Sequence, residues 1–111
     1  MSEYLQVSTT AASEEEARRI AAALLERRLA ACVQVVGPIE SRYWWEGKIE
    51  EASEWLCLIK TAAARYEEVE ATIGELHSYE EPEVIATPIA AGGAGYLEWV
   101  RRTTHPGSPD G

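Results

Sequence analysis

The chain has 111 residues, 46% of them hydrophobic, and carries 19 acidic against 10 basic side chains for a net charge of −9. That length supports one domain around one core, and the hydrophobic share excludes a disordered chain. The acidic balance excludes a phosphate-backbone partner, because nucleic-acid affinity is drawn from cationic side chains, and here the arginine pairs 18–19, 27–28 and 101–102 form no continuous stripe.

Residues 3–10 alternate Tyr4, Gln6 and Ser8 against Leu5, Val7 and Thr9, the period of a strand. Ser13-Glu14-Glu15-Glu16 forms a capping box, and Ala17, Ile20, Ala21 and Leu24 follow at the spacing of one buried helical face, closed by Arg27 and Arg28. Residues 31–36 are an apolar run. Gly37-Pro38 interrupts it with a bulge or bend, or marks an edge, and residues 39–45 resume as an alternating strand. After the Glu46-Gly47 turn, residues 49–61 return as a second long strand.

Strands of this length reach roughly 40–50 Å at about 3.3 Å per residue, where about 5–6 residues is usual. Their distal part carries Tyr43, Trp44, Trp45 and Trp55, which so small a chain cannot cover, so another subunit is expected to do it. Residues 62–78 read as a second helix, with Tyr66, Val69, Ile73 and Leu76 on one face. Glu80-Glu81-Pro82 is a turn and residues 83–89 are a final strand whose Pro88 implies an edge. The run Gly92-Gly93-Ala94-Gly95 lacks a following Lys-Ser/Thr and reads as a connector. Residues 96–102 form a short helix and residues 105–111 a tail.

The order β-α-β-β-α-β plus a terminal helix is an α+β, ferredoxin-like sandwich with a long hairpin between its second and third strands. Residues 1–104 are expected to form the single domain and residues 105–111 a flexible tail. No apolar stretch is long enough to span a membrane, and residues 1–8 lack the basic leader of a secretory signal. Cys32 and Cys57 lie in apolar runs rather than in a C-x-x-C, as in a reducing compartment. The expected location is the cytoplasm, with neither a membrane nor a nucleic-acid partner. The single Asp, Asp110, is in the tail, so neither an EF-hand loop nor an Asp-based triad can be assembled, and no nucleophile is paired with a base. An enzyme is not expected.

The polar residues that a core does not require are candidate site residues. His77, ending a helix near Glu80, Glu81 and Glu83, is either a cap at a negative helix end or an imidazole metal ligand. Cys32 is either a small buried hydrophobe or a soft-metal ligand. Lys60 closes an apolar strand, where it either snorkels to the sheet edge or binds an anion near His77.

The run Ala30-Ala31-Cys32-Val33, then Gly37-Pro38-Ile39, Ser41, Tyr43, Trp45 and Gly47-Lys48-Ile49-Glu50, resembles the central hairpin of the CutA divalent-cation-tolerance family. The likeness continues through Glu54, Leu56, Ile59-Lys60-Thr61, His77, Tyr79, Pro82-Glu83 and Tyr96-Leu97-x-Trp99, nearly the whole chain in order. The resemblance implies a homotrimer shaped like PII signalling proteins, with long hairpins extending sheets between subunits, and an association with tolerance of divalent cations, copper above all. It assigns the metal-site histidine to His77; the positions where some members add Cys and a second His are Thr9 and Leu76.

Three functions follow as expectations. The first is a trimeric binding or signalling module whose cleft is lined by Lys60, Glu50, Glu54, His77, Tyr79 and Trp99 and takes a metal ion or a small anion. The second is direct metal binding, copper included, by His77 with help from Cys32 or glutamate. The third is a structural trimer serving a partner protein.

Overall fold

The computed structural model describes residues 2–107. In chain order it contains β1 (Tyr4–Ala11), α1 (Glu14–Glu26), β2 (Cys32–Trp45), β3 (Lys48–Ala62), a 3-10 turn (Ala63–Arg65), α2 (Tyr66–Leu76), β4 (Val84–Pro88) and α3 (Ala94–Thr104). The strands form one antiparallel sheet in the order β2-β3-β1-β4. This is the ferredoxin-like arrangement expected from the element order.

The capping box starts α1 where the sequence places it. Ser13 Oγ accepts from the Glu16 amide at 3.1 Å, while the Glu16 carboxylate reaches one residue further back, to the Ala12 amide. The helix ends in a Schellman turn, with Arg28 N donating to Leu25 O and Leu29 N to Leu24 O. That turn puts Arg28 at φ 56°, a left-handed position that usually favours glycine. Ala17, Ile20 and Leu24 of α1 and Val69 and Ile73 of α2 are fully buried against Val7, Cys57 and Ile59 of the sheet, which fixes both helices on one face.

The hairpin is as long as the sequence predicts, 14 residues out and 15 back. Its register slips between Val36 and Ile39, where Gly37-Pro38 is cis. The tip is a two-residue turn with Glu46 at φ 48° and Gly47 at φ 78°, the primed type that matches strand twist. The chain measures 46 Å along its longest axis. Trp44, Trp45 and Ile49 at the tip are 73%, 57% and 62% exposed. On the sheet face of opposite parity to Cys57 and Ile59, Leu56, Leu58 and Ile85 have no helix of the α1–α2 layer over them, and Ile85 is 55% exposed.

The second and third helices have other bounds than the sequence reading gives. The second helix begins later, because residues 63–65 take a 3-10 turn, and it ends at Leu76 with His77 extended. The glycine run is half connector and half helix: Gly93 is the N-cap of α3, and Ala94 and Gly95 form its first turn. α3 also runs on to Thr104, because Val100, Thr103 and Thr104 are buried and Arg28 donates to the Thr103 carbonyl. Of the expected tail, residues 108–111 lie outside the described residues.

Candidate functional site

The junction between α2 and β4 is built on Glu16. This carboxylate, 3% exposed, accepts from the Ser78 amide at 2.5 Å, the Ser78 hydroxyl at 3.0 Å and the Ala12 amide at 3.1 Å. Burial pushes its pKa up, but these three donors outweigh burial and hold it below the ordinary carboxylate value. The capping box identified Glu16 from sequence as a helix-start residue. Its tie to a turn 62 residues away had no sequence signal.

His77 stands beside it with its side chain fully buried. Nε2 lies 2.6 Å from the Thr10 carbonyl, and Nδ1 accepts from the Tyr79 amide at 3.1 Å. A carbonyl only accepts and an amide N–H only donates, so the ring is the neutral Nε2–H tautomer. The 3.7 Å approach of Nδ1 to Glu16 is then a proximity and not an ion pair. Both nitrogens are used inside the chain, and the ring serves to orient Tyr79, against which it packs at 4.8 Å between centroids.

Tyr79 donates its hydroxyl proton to Glu54 Oε2 at 2.8 Å. Burial first, then the bond and charge of Glu54, push the phenol up to about 12, so the proton stays on Tyr79 through the neutral range. Glu54 is 6% exposed and forms the floor of a cleft of about 800 Å³. Tyr43, Trp45, Glu50 and Tyr79 wall it, and Glu80, Glu81 and Glu83 rim it. Glu50 and Glu54 share one parity of β3, on the sheet face turned away from α1 and α2.

Lys60, Cys32 and Trp99 belong to another place. Lys60 lies opposite Cys32 in the ladder and donates to Gln34 Oε1. Cys32 is half-buried beside Tyr96, whose phenol is pushed up by burial and then by Cys32. Tyr96 packs against Trp99 with 5.5 Å between ring centroids. Lys60 and Glu54 are six residues apart on one strand, roughly 20 Å at about 3.3 Å per residue. Within one chain the expected cleft set therefore divides in two: Glu50, Glu54 and Tyr79, backed by His77, at the hairpin end, and Lys60, Cys32 and Trp99 at the other. Lys60 and Cys32 do not meet His77.

These residues do not fit a resident metal. His77 has no lone pair directed outward, Cys32 lies about four β3 rows from the strand position that His77 caps (roughly 13 Å), and no group of three His, Cys, Asp or Glu converges among the described residues.

The family model of the CutA1 divalent ion tolerance protein matches residues 5–103. The chain belongs to the CutA1 family. It is 47% identical over 94 residues to the divalent-cation tolerance protein CutA of Archaeoglobus fulgidus, an alignment covering 85% of this chain and 91% of that one. It is 43% identical over 82 residues to the chloroplastic Protein CutA 1 of Oryza sativa subsp. japonica, covering 74% of this chain and 46% of the relative, so it spans about half the length of that plant protein. The structure of the A. fulgidus CutA, described as a periplasmic divalent cation tolerance protein, superposes with a TM-score of 0.89 at 44% identity, covering 91% of this chain and 98% of that one. No helix among the described residues is long and apolar enough to cross a membrane.

Proposed function

We propose that this protein is a non-catalytic homotrimeric binding module that serves tolerance of divalent cations, copper among them. The observation that carries the reading is the incompletely covered second face of the sheet. α1 and α2 cover one face, while on the other Ile85, with Trp44 and Ile49 at the projecting tip, is exposed, and Leu56 and Leu58 are only partly buried. A second and third copy of the same surface close such a sheet into a ring, which the family resemblance leads one to expect. In that assembly a neighbour's Lys60 end can complete the cleft of Glu50, Glu54 and Tyr79 that one chain leaves open.

The two hydroxyls at the junction are held inside the chain, which supports a role without catalysis. Ser78 Oγ donates to Glu16 and Tyr79 to Glu54, and each is tied to a carboxylate with no imidazole acting on it. Two free thiols support the cytoplasm as the compartment. Sedimentation at micromolar concentration is expected to give the mass of three chains, and a folded single subunit would overturn the reading. Calorimetry with copper, zinc and cadmium tests the cation role. Direct ligation by His77 predicts loss of copper binding in His77→Ala together with retention of the fold. The ring's two internal hydrogen bonds favour the opposite result, in which the fold weakens and any copper affinity is unchanged.

A further inference from the structure

We propose that His77 and Glu16 form a pH-sensitive switch for the turn that carries Tyr79. Proton uptake at His77 Nδ1 moves the ring from the Tyr79 amide to Glu16 and releases that wall of the cleft. Every group involved lies within one chain, so the switch rests neither on the assembly nor on the cation role proposed above.

The observed bonds admit only the neutral ring. Nε2–H donates to the Thr10 carbonyl at 2.6 Å, and the Nδ1 lone pair accepts from the Tyr79 amide at 3.1 Å. A proton on Nδ1 turns that acceptor into a donor facing another donor. The side chain is fully buried, so the new N–H needs an acceptor from the chain itself. Glu16 Oε2 stands 3.7 Å from Nδ1, outside hydrogen-bond range in the neutral state. A swing of roughly 1 Å that keeps Nε2 on Thr10 would close this to the about 2.8 Å of a charge-assisted bond.

Glu16 is equipped to receive it. Its oxygens hold the Ala12 amide and the Ser78 amide and hydroxyl, and a carboxylate offers about four lone-pair sites. Burial raises its pKa, but those donors outweigh burial and hold it below the ordinary 4.5, so Glu16 stays charged while an imidazole titrates. The surrounding groups do not compete. β1 presents the Thr10 carbonyl. Tyr79 packs on the ring, with Glu54 of β3 and Tyr43 of β2 behind it. Glu80, Glu81 and Glu83 rim the cleft that Tyr79 walls. Cys57 of β3, pushed up to about 11 by burial and then by Glu16, stays protonated. No lysine or arginine pairs with Glu16 or Glu54 among the described residues.

Tyr79 has three holds: its amide on Nδ1, its ring against His77 at 4.8 Å, and its hydroxyl on Glu54 at 2.8 Å. The switch removes the first and displaces the second. The side chain is then left on the Glu54 bond alone, and the cleft loosens on that side in acid.

The test is an NMR titration of the full chain, labelled with 15N, from about pH 8 to about pH 5, where imidazoles change charge. The ring nitrogens should report the Nε2–H tautomer at the alkaline end. On acidification the ring should gain its second proton, and the Tyr79 amide should lose its hydrogen-bonded shift with the same midpoint. His77→Gln can still donate to Thr10 and accept from the Tyr79 amide without titrating, so its Tyr79 amide should not move. Glu16→Gln removes the receiving charge and should lower the ring's midpoint by at least about one pH unit. A ring that stays neutral to the acid end of the range would overturn the proposal. So would a Tyr79 amide unmoved as the ring titrates, one that moves equally in His77→Gln, or an unchanged midpoint in Glu16→Gln. The parent titration decides the matter even where neither variant folds.

Discussion

Glu16 organises the turn that carries the cleft wall, because one buried carboxylate satisfies two backbone amides and a hydroxyl at once. Removing it in Glu16→Ala strands those donors. The loss should be about 2–4 kcal/mol at neutral pH, read by denaturant unfolding. Its folded pKa is depressed, so its contribution is present above the ordinary value of 4.5 and disappears as pH falls through the folded value. The gap between parent and variant should narrow on acidification. Tyr79 runs the other way. Between 10.0 and about 12 the unfolded chain releases the phenolic proton while the folded chain keeps it, so stability is full below pH 10 and declines toward pH 12. An ultraviolet titration should show one tyrosine ionising near that upper value, and Tyr79→Phe should remove it.

At the scale of elements, the hairpin bend depends on a glycine for reasons of space. A Cβ on Gly37 would stand 2.4 Å from the Trp55 ring. Gly37→Ala should displace that ring and cost about 1–3 kcal/mol, read as a lowered unfolding midpoint, while Gly47→Asn at the tip, a compatible left-handed position, should be nearly neutral. The element order, the α1 cap and the bulge were legible in sequence because each rests on neighbours within a few residues: Ser13 to Glu16, or a proline that cannot donate to a ladder. The start of α2 and the helical use of Ala94 and Gly95 were not. Tyr66 anchors the former from across the core, and Val100 with the Arg28–Thr103 bond fixes the latter, and tertiary packing overrides weak local propensity.

For the whole molecule, the uncovered sheet face makes a prediction separate from the site. Leu58 alternates with the buried Cys57 and Ile59 and so points away from α1 and α2. Leu58→Glu would put a charge in the centre of the proposed contact. It should leave the secondary structure intact by circular dichroism and dissociate the assembly at micromolar concentration. A variant that sediments as the parent does would remove that face from the interface.

The sequence by itself determined the fold class and the two long strands, because periodicity, caps and turn chemistry act over short range, and it pointed to the family through a resemblance in residues kept in order along nearly the whole chain. It also singled out the polar residues that a core does not need. Only the tertiary structure decided how those residues group. Ladder register separates Lys60 and Cys32 from Glu54 and Tyr79 by several rows along β3, and the backbone partners of His77 fix its tautomer. Distances of that kind arise between segments tens of residues apart, where no local pattern carries the information.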